Sequence, residues 1–136
     1  EKVESIEGVI RAKSELITAL PPAGTAIVPA RFPVGRDDIV VVRVGEAATL
    51  ESFDPPVLRT SIGTTTVNFT ARHLAENALY AFAAARALGL VVPERLDVAF
   101  AEWRNQELPL PGGGLLVNDA WNANPISMAS PVKGAV

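Results

Sequence analysis

Polar residues capable of binding a ligand are concentrated in one run near the end of the chain, Leu115-Leu116-Val117-Asn118-Asp119-Ala120-Trp121-Asn122-Ala123-Asn124-Pro125. Its first three apolar residues predict a short buried strand, and the polar residues after them predict a loop. Open α/β sheets bind ligands at the carboxyl ends of their strands, where backbone and side-chain groups converge on a crevice. Asp119, Asn122 and Asn124 are therefore candidate binding residues. The alternative is a capped turn in which these side chains bond their own backbone.

A second candidate is Lys13, on an amphipathic helix predicted over residues 5–20. Apolar residues recur there at three- and four-residue spacing, with Ser5 as the N-cap and a Pro-Pro pair at 21–22 as the stop. At about 100° per residue, Lys13 projects into the apolar stripe, where an unpaired ammonium is costly to bury. Two interpretations stay open. The lysine reaches the helix end or pairs with a carboxylate, or a neutral amine takes up CO₂ and holds a metal ion as a carbamate.

Two further helices are predicted downstream. Residues 71–88 form an alanine-rich pattern closed by Gly89, with Ala78, Ala81 and Ala85 on the side that approaches a sheet. His73 near its start is either a helix-cap or packing histidine or a site residue, because one imidazole alone makes no metal site. A helix beginning at Pro93 places Leu96, Phe100 and Trp103 on one face. Arg104 then lies near its C-terminus, where a cation also favours the helix dipole.

Three of these stretches resemble segments of the Mur ligase family of ATP-dependent amide ligases. Residues 117–128 resemble the junction between the family's central ATPase domain and its C-terminal domain, with Trp121 in place of the usual Tyr. Residues 7–15 resemble Glu-Gly-x-x-x-Ala-Lys-x-Glu, whose lysine is carbamylated in the family and helps position magnesium. Residues 72–79 resemble Gly-Arg-His-Asn-x-x-Asn-Ala-Leu, whose second Asn faces the adenine of ATP. Asn77 occupies that second position, while Leu74 replaces the first Asn.

The resemblance implies a function, cofactors and roles for individual residues. The cofactors are ATP and Mg²⁺, and Lys13, as a carbamate, is the catalytic and metal-binding residue. The residues expected to face the nucleotide or its surroundings are Asn77, His73, Arg104, Asp119, Asn122 and Asn124. The 117–128 segment is most similar to family members of peptidoglycan synthesis that join D-alanyl-D-alanine to UDP-muramoyl-tripeptide through an acyl phosphate. These two compounds are then the expected substrates.

The predicted fold is α/β, a parallel sheet with flanking helices plus a small antiparallel sheet. Strands at 24–28 and 39–44 follow the first helix as one αβ step, and shorter β candidates lie at 50–53, 57–60 and 64–70. Residues 61–66 are predicted to be a hairpin, because they lack the Gly-Lys-Ser/Thr core of a phosphate loop. Residues 108–114 are a predicted loop. By resemblance, residues 1–120 are part of a Mur-type central domain lacking the phosphate loop, and 121–136 are a hinge towards a C-terminal domain.

Composition limits the remaining possibilities. A chain of 136 residues that is 49% hydrophobic predicts one domain with one core. A formal charge of −3 without a basic run argues against nucleic acid, and short apolar runs without cysteine favour a soluble cytoplasmic chain with no membrane insertion. Two hypotheses follow. The chain is part of a ligase and inactive alone, or it is a noncatalytic αβ unit with a folding role or an association role, with missing domains or with itself.

Overall fold

A computed structural model describes residues 5–104 and 106–120 as a mixed α/β structure. Within them, β1 and β2 form a parallel pair, β3-β4-β5-β6 form a second sheet, and β7-β8 form an antiparallel hairpin. These described residues contain no helix with the length and apolarity needed to cross a membrane. The elements in chain order are α1 Ile6–Thr18, β1 Thr25–Pro29, β2 Val40–Val44, β3 Leu50–Asp54, β4 Val57–Thr60, β5 Gly63–Val67, α2 Arg72–Ala87, β6 Arg95–Leu96, β7 Gln106–Pro109 and β8 Leu115–Asn118.

The first helix begins as its sequence predicts. The Ser5 hydroxyl accepts a hydrogen bond of 3.0 Å from the Gly8 N–H, which satisfies one of the donors left open at a helix N-terminus. At the other end Arg36 binds the last carbonyl groups: its Nη1 donates to the oxygens of Ile17, Thr18 and Leu20 at 3.0, 3.2 and 2.6 Å. Its Nε and Nη2 donate to the two carboxylate oxygens of Asp38 at 2.8 and 2.6 Å. One guanidinium therefore joins the helix end to the loop before β2.

We expect Arg36→Lys to loosen α1 although it keeps the charge. An ammonium is a compact point donor and cannot serve a carboxylate and three carbonyls in one fork. Amide hydrogen exchange should become faster over residues 6–18, more so in Arg36→Ala, with little change in β4 and β5. Arg31→Lys, at an exposed position, is the matched control. Unchanged exchange in α1 for both Arg36 variants would show that the guanidinium does not hold the helix end.

The same contact predicts a pH dependence. Hydrogen bonds from Arg36 lower the pKa of the Asp38 carboxyl below its usual value. A carboxyl whose pKa is lower in the folded state stabilises that state above its unfolded pKa, and this contribution is lost as the pH falls through the depressed value. The protection of α1 in wild type should therefore weaken under acidic conditions, and Arg36→Ala should abolish this part of the pH dependence.

The two helices cover opposite faces of the parallel pair β1–β2. Ala26 and Val28 point towards Ile17 of α1, whereas Ile27, between them, packs on the side of Leu79 and Ala83 of α2. This follows from the two-residue alternation of side chains along a strand. The predicted αβ step and its parallel sheet are confirmed for this pair of strands.

The main core lies between α2 and the second sheet, whose strands β3, β4 and β5 are antiparallel as predicted. Alanines on α2 allow its close approach, but they are Ala75, Ala78 and Ala83; Ala81 is exposed, so that predicted contact is wrong. The buried centre of this core consists of Leu58, Val67, Phe69, Ala75, Ala78 and Phe82.

The helix predicted from Pro93 is wrong. The chain is extended there, and β6 adds to β5 in parallel. The Asn68 side chain stabilises the extended backbone after β6, because it donates to the Val98 carbonyl at 3.0 Å and accepts from the Val98 N–H at 2.9 Å. Leu96, Val98 and Phe100 pack against the main core. Their two-residue spacing is that of a strand, and it overlaps the four-residue spacing from which the helix was predicted.

The last described segment is a hairpin with a different environment from the one predicted. The strand at 115–117 is confirmed, but its three apolar residues are between 37% and 55% exposed, so its predicted burial is wrong. Its partner β7 occupies part of the predicted loop at 108–114. Gly112 and Gly113, both at positive φ, form the turn that joins the two strands.

Candidate functional site

Lys13 lies where the helical periodicity places it, among the apolar residues of α1. Together with the strand β1, this stripe forms a groove of about 620 Å³. Lys13 is exposed, because the N-terminal half of the helix extends beyond its contact with the sheet. The cost of burying an ammonium therefore does not arise, and that part of the expectation is wrong.

The surroundings of Lys13 do not supply a set of magnesium ligands. None of the described residues that line the groove carries a carboxylate or an imidazole. Across the described ranges 5–104 and 106–120, no three His, Cys, Asp or Glu residues are grouped so that they could hold a metal ion. Glu7 belongs to the helix N-terminus, where hydrogen bonds from its own backbone N–H and from Ser5 lower its pKa. A carbamate at Lys13 stays a prediction, and the described residues do not fit Mg²⁺ beside it.

The second motif lies at the start of α2. Arg72 is the first helical residue, His73 is half-buried, and Asn77 is exposed on the second turn. The N-cap residue Ala71 makes no side-chain hydrogen bond to the first turn. Backbone N–H groups at such a helix end carry a partial positive charge, which favours an anion. This end of α2 therefore has the polarity, but by itself not the specificity, of a phosphate-binding position.

The hairpin β7–β8 is joined to this end of α2. The Thr70 hydroxyl, two residues before the helix, donates to Glu107 Oε1 at 2.8 Å. Next to Glu107 on β7, Gln106 Oε1 accepts from the Asn118 side chain and from the Trp103 N–H, both at 3.4 Å. Three polar contacts thus connect the segments at residues 70, 103–104, 106–107 and 118.

These contacts decide which predicted site residues come together. Trp103 and Asn118, which contact Gln106, come directly before Arg104 and Asp119 in the chain. Thr70, which contacts Glu107, comes three positions before His73. The contacts therefore connect the backbone segments that carry these three predicted residues. Lys13 lies in the groove of α1, which none of them, nor Asn77, lines. Asn122 and Asn124 lie outside the described residues.

No family model, no curated protein and no solved structure matches this chain. The resemblance of the three motifs to Mur ligases therefore stays a prediction from the sequence. The geometry divides these motifs into two regions, the groove of α1 and the junction between α2 and the hairpin.

Sequence reasoning missed the contacts that organise both regions. Local sequence patterns assign no role to Arg36, although it binds carbonyl groups 16 to 19 residues earlier in the chain. The Thr70–Glu107 contact also spans 37 residues. The only signal in the sequence for the Arg36 contacts is a lone arginine after the first helix. No local pattern predicts the contact between Thr70 and Glu107.

Proposed function

We propose that this chain is part of the nucleotide-binding domain of an ATP-dependent amide ligase of the Mur type, and that the junction at the start of α2 faces the nucleotide. The observation that carries the proposal is the junction itself. Thr70, two residues before the motif at 72–79, contacts Glu107, and Glu107 pairs with Val117, the first residue of the motif at 117–128. The described beginnings of two separate motifs that resemble the family are therefore close together. In the proposed reaction, a carboxylate of UDP-muramoyl-tripeptide attacks the γ-phosphate of ATP, which gives an acyl phosphate and releases ADP. The amine of D-alanyl-D-alanine then displaces phosphate and forms the amide.

Each residue of the junction has a definite task in this proposal. The exposed Asn77 amide offers both a donor and an acceptor to the edge of an adenine ring. Arg104 and the uncapped N–H groups of α2 favour the negative charge of the phosphates. The sequence contains no Gly-Lys-Ser/Thr phosphate loop. We therefore expect weak nucleotide binding and no turnover by this chain alone, and we assign no step to a metal ion.

Binding of ATP should raise the melting temperature of the chain, and Asn77→Ala should reduce that rise. A ligand present at ten times its dissociation constant stabilises the folded state by about 1.4 kcal/mol. Since Asn77 is exposed, its replacement should leave the melting temperature without ATP nearly unchanged. Differential scanning fluorimetry with millimolar ATP and magnesium measures both effects. Arg86→Gln, at the opposite end of α2, should keep the full rise.

Two results would count against this proposal. The first is the absence of a shift in wild type at millimolar ATP. The second is an equal shift in wild type and Asn77→Ala, which would place any nucleotide away from this helix. Either outcome favours the other candidate function, a noncatalytic αβ unit that associates with a partner. That candidate is supported by a separate feature, the open apolar groove beside Lys13.

A further inference from the structure

The groove of α1 is formed by an overhanging helix and the outer edge of a strand. All five residues of β1 line it, together with the apolar stripe of the helix. The stripe is far from covered: Ile6 is 76% exposed, Leu16 69% and Val9 46%. Only Ile17, near the end of α1, is buried against the sheet. The helix thus covers a space beside β1 that the described residues leave open.

The edge of β1 that faces this space has backbone groups available for pairing. Among the described residues β1 pairs with β2 alone. The Gly24 carbonyl accepts from the Val40 N–H at 2.9 Å, so residues 24, 26 and 28 direct their backbone groups towards β2. By alternation, Thr25 and Ile27 direct theirs towards the groove. An edge of this kind is a template for one more strand.

We propose that the groove is a strand-addition site for a partner polypeptide. The occupant is an extended apolar segment of five or six residues that pairs with the outer edge of β1 beneath α1. It carries one acidic side chain on the face towards α1. Pairing with Thr25 and Ile27 supplies main-chain hydrogen bonds, and burial of the exposed stripe supplies the apolar contribution.

The charge of Lys13 indicates where the occupant carries its acidic side chain and favours a different polypeptide over a second copy of this chain. Among the described residues that line the groove, Lys13 is the one that carries a charge, so a carboxylate on the occupant meets a cation on an otherwise apolar surface. A second copy of this chain complements the groove poorly. Two-fold pairing through β1 would bring the same stripe, with its own Lys13, to the interface. The described lining of the groove offers no acidic residue to compensate the two ammonium groups.

The probe is a synthetic peptide based on β2, which already pairs with β1: Ser-Thr-Ile-Val-Val-Val-Glu-Val-Ser, with Glu where β2 carries Arg43. A matched peptide carries Lys at that position. Binding to the full 136-residue chain is measured by fluorescence anisotropy, without nucleotide, so the result is independent of the proposed ligase function. We expect the Glu peptide to bind more tightly than the Lys peptide. Lys13→Glu should reverse this order, with each affinity changing about fivefold.

Three controls make the result specific. Lys13 is exposed, so Lys13→Glu should keep the fold, which circular dichroism verifies. Arg86→Glu changes the charge by the same amount on α2 and should leave the order of the peptides unchanged. A Glu peptide N-methylated at alternate residues, so that it cannot pair with β1, should lose binding.

Any of three results with the peptides overturns the proposal. The first is that neither peptide binds at millimolar concentration. The second is that the N-methylated peptide binds as tightly as its parent, and the third is that Lys13→Glu fails to reverse the preference between the Glu and Lys peptides. Sedimentation of the chain alone supplies the remaining test. A monomer that binds the Glu peptide supports a partner strand. A dimer that Ile6→Lys dissociates would instead assign the groove to a second copy and overturn the proposal.

Discussion

Replacement of Leu58 by alanine should lower the free energy of unfolding by about 2–5 kcal/mol, the range for deletion of a buried leucine side chain. Leu58 on β4 is 0% exposed and contacts the centre of the core beneath α2. The loss combines the transfer free energy of the missing atoms with the cavity that neighbouring side chains only partly fill. Urea denaturation followed by circular dichroism measures it.

Leu90→Ala is the matched control for this substitution, because Leu90 is exposed beyond the end of α2. Its effect should stay within about 0.5 kcal/mol. If Leu58→Ala cost no more than Leu90→Ala, the sheet would not support α2 in the way the structure implies. The positions of His73 and Asn77 would then lose their structural basis.

Replacement of Thr65 by valine should raise the free energy of unfolding by about 1–2 kcal/mol, because it removes a buried polar group that lacks a partner. Thr65 on β5 is 1% exposed and pairs directly across from Leu58. Its Oγ1 makes no hydrogen bond within the described residues. Valine keeps nearly the same shape and exchanges the hydroxyl for a methyl group.

Thr65→Ser provides the complementary test by urea denaturation. It keeps the hydroxyl and deletes the methyl group, so it should lower stability by about 1 kcal/mol. Opposite signs for the two variants identify the hydroxyl as the unfavourable group. A valine variant less stable than wild type would contradict this prediction and show that the hydroxyl is hydrogen-bonded in solution.

Short-range sequence patterns were sufficient to predict several helices and strands. The Ser5 cap and the Pro-Pro stop bound the first helix, and the run of β-branched residues at 40–42 identifies β2. The segment from Pro93 failed because Leu96 and Phe100 satisfy both a helical and an extended period. The Asn68 side chain, 30 residues away from Val98, favours the extended form, and short-range patterns do not contain that contact.

The candidate site shows the same limit. The angular position of Lys13 was predicted correctly, since the helical period determines the face on which a residue lies. What covers that face depends on the rest of the fold, and α1 leaves much of it open. Similarly, the apolar residues in Leu115–Asn118 predict a strand, but their side chains are buried only if another helix or sheet packs against that strand. The described residues place no such layer over this hairpin.

The central claim, that the start of α2 and the base of the hairpin face a nucleotide, is tested most directly by backbone amide NMR spectra recorded during a titration with ATP and magnesium. We expect concentration-dependent shifts clustered at His73, Asn77, Arg104 and Asp119, reduced in Asn77→Ala, with little change along β4. Spectra that stay unchanged at millimolar ATP, or that change only in the groove around Lys13, would contradict it.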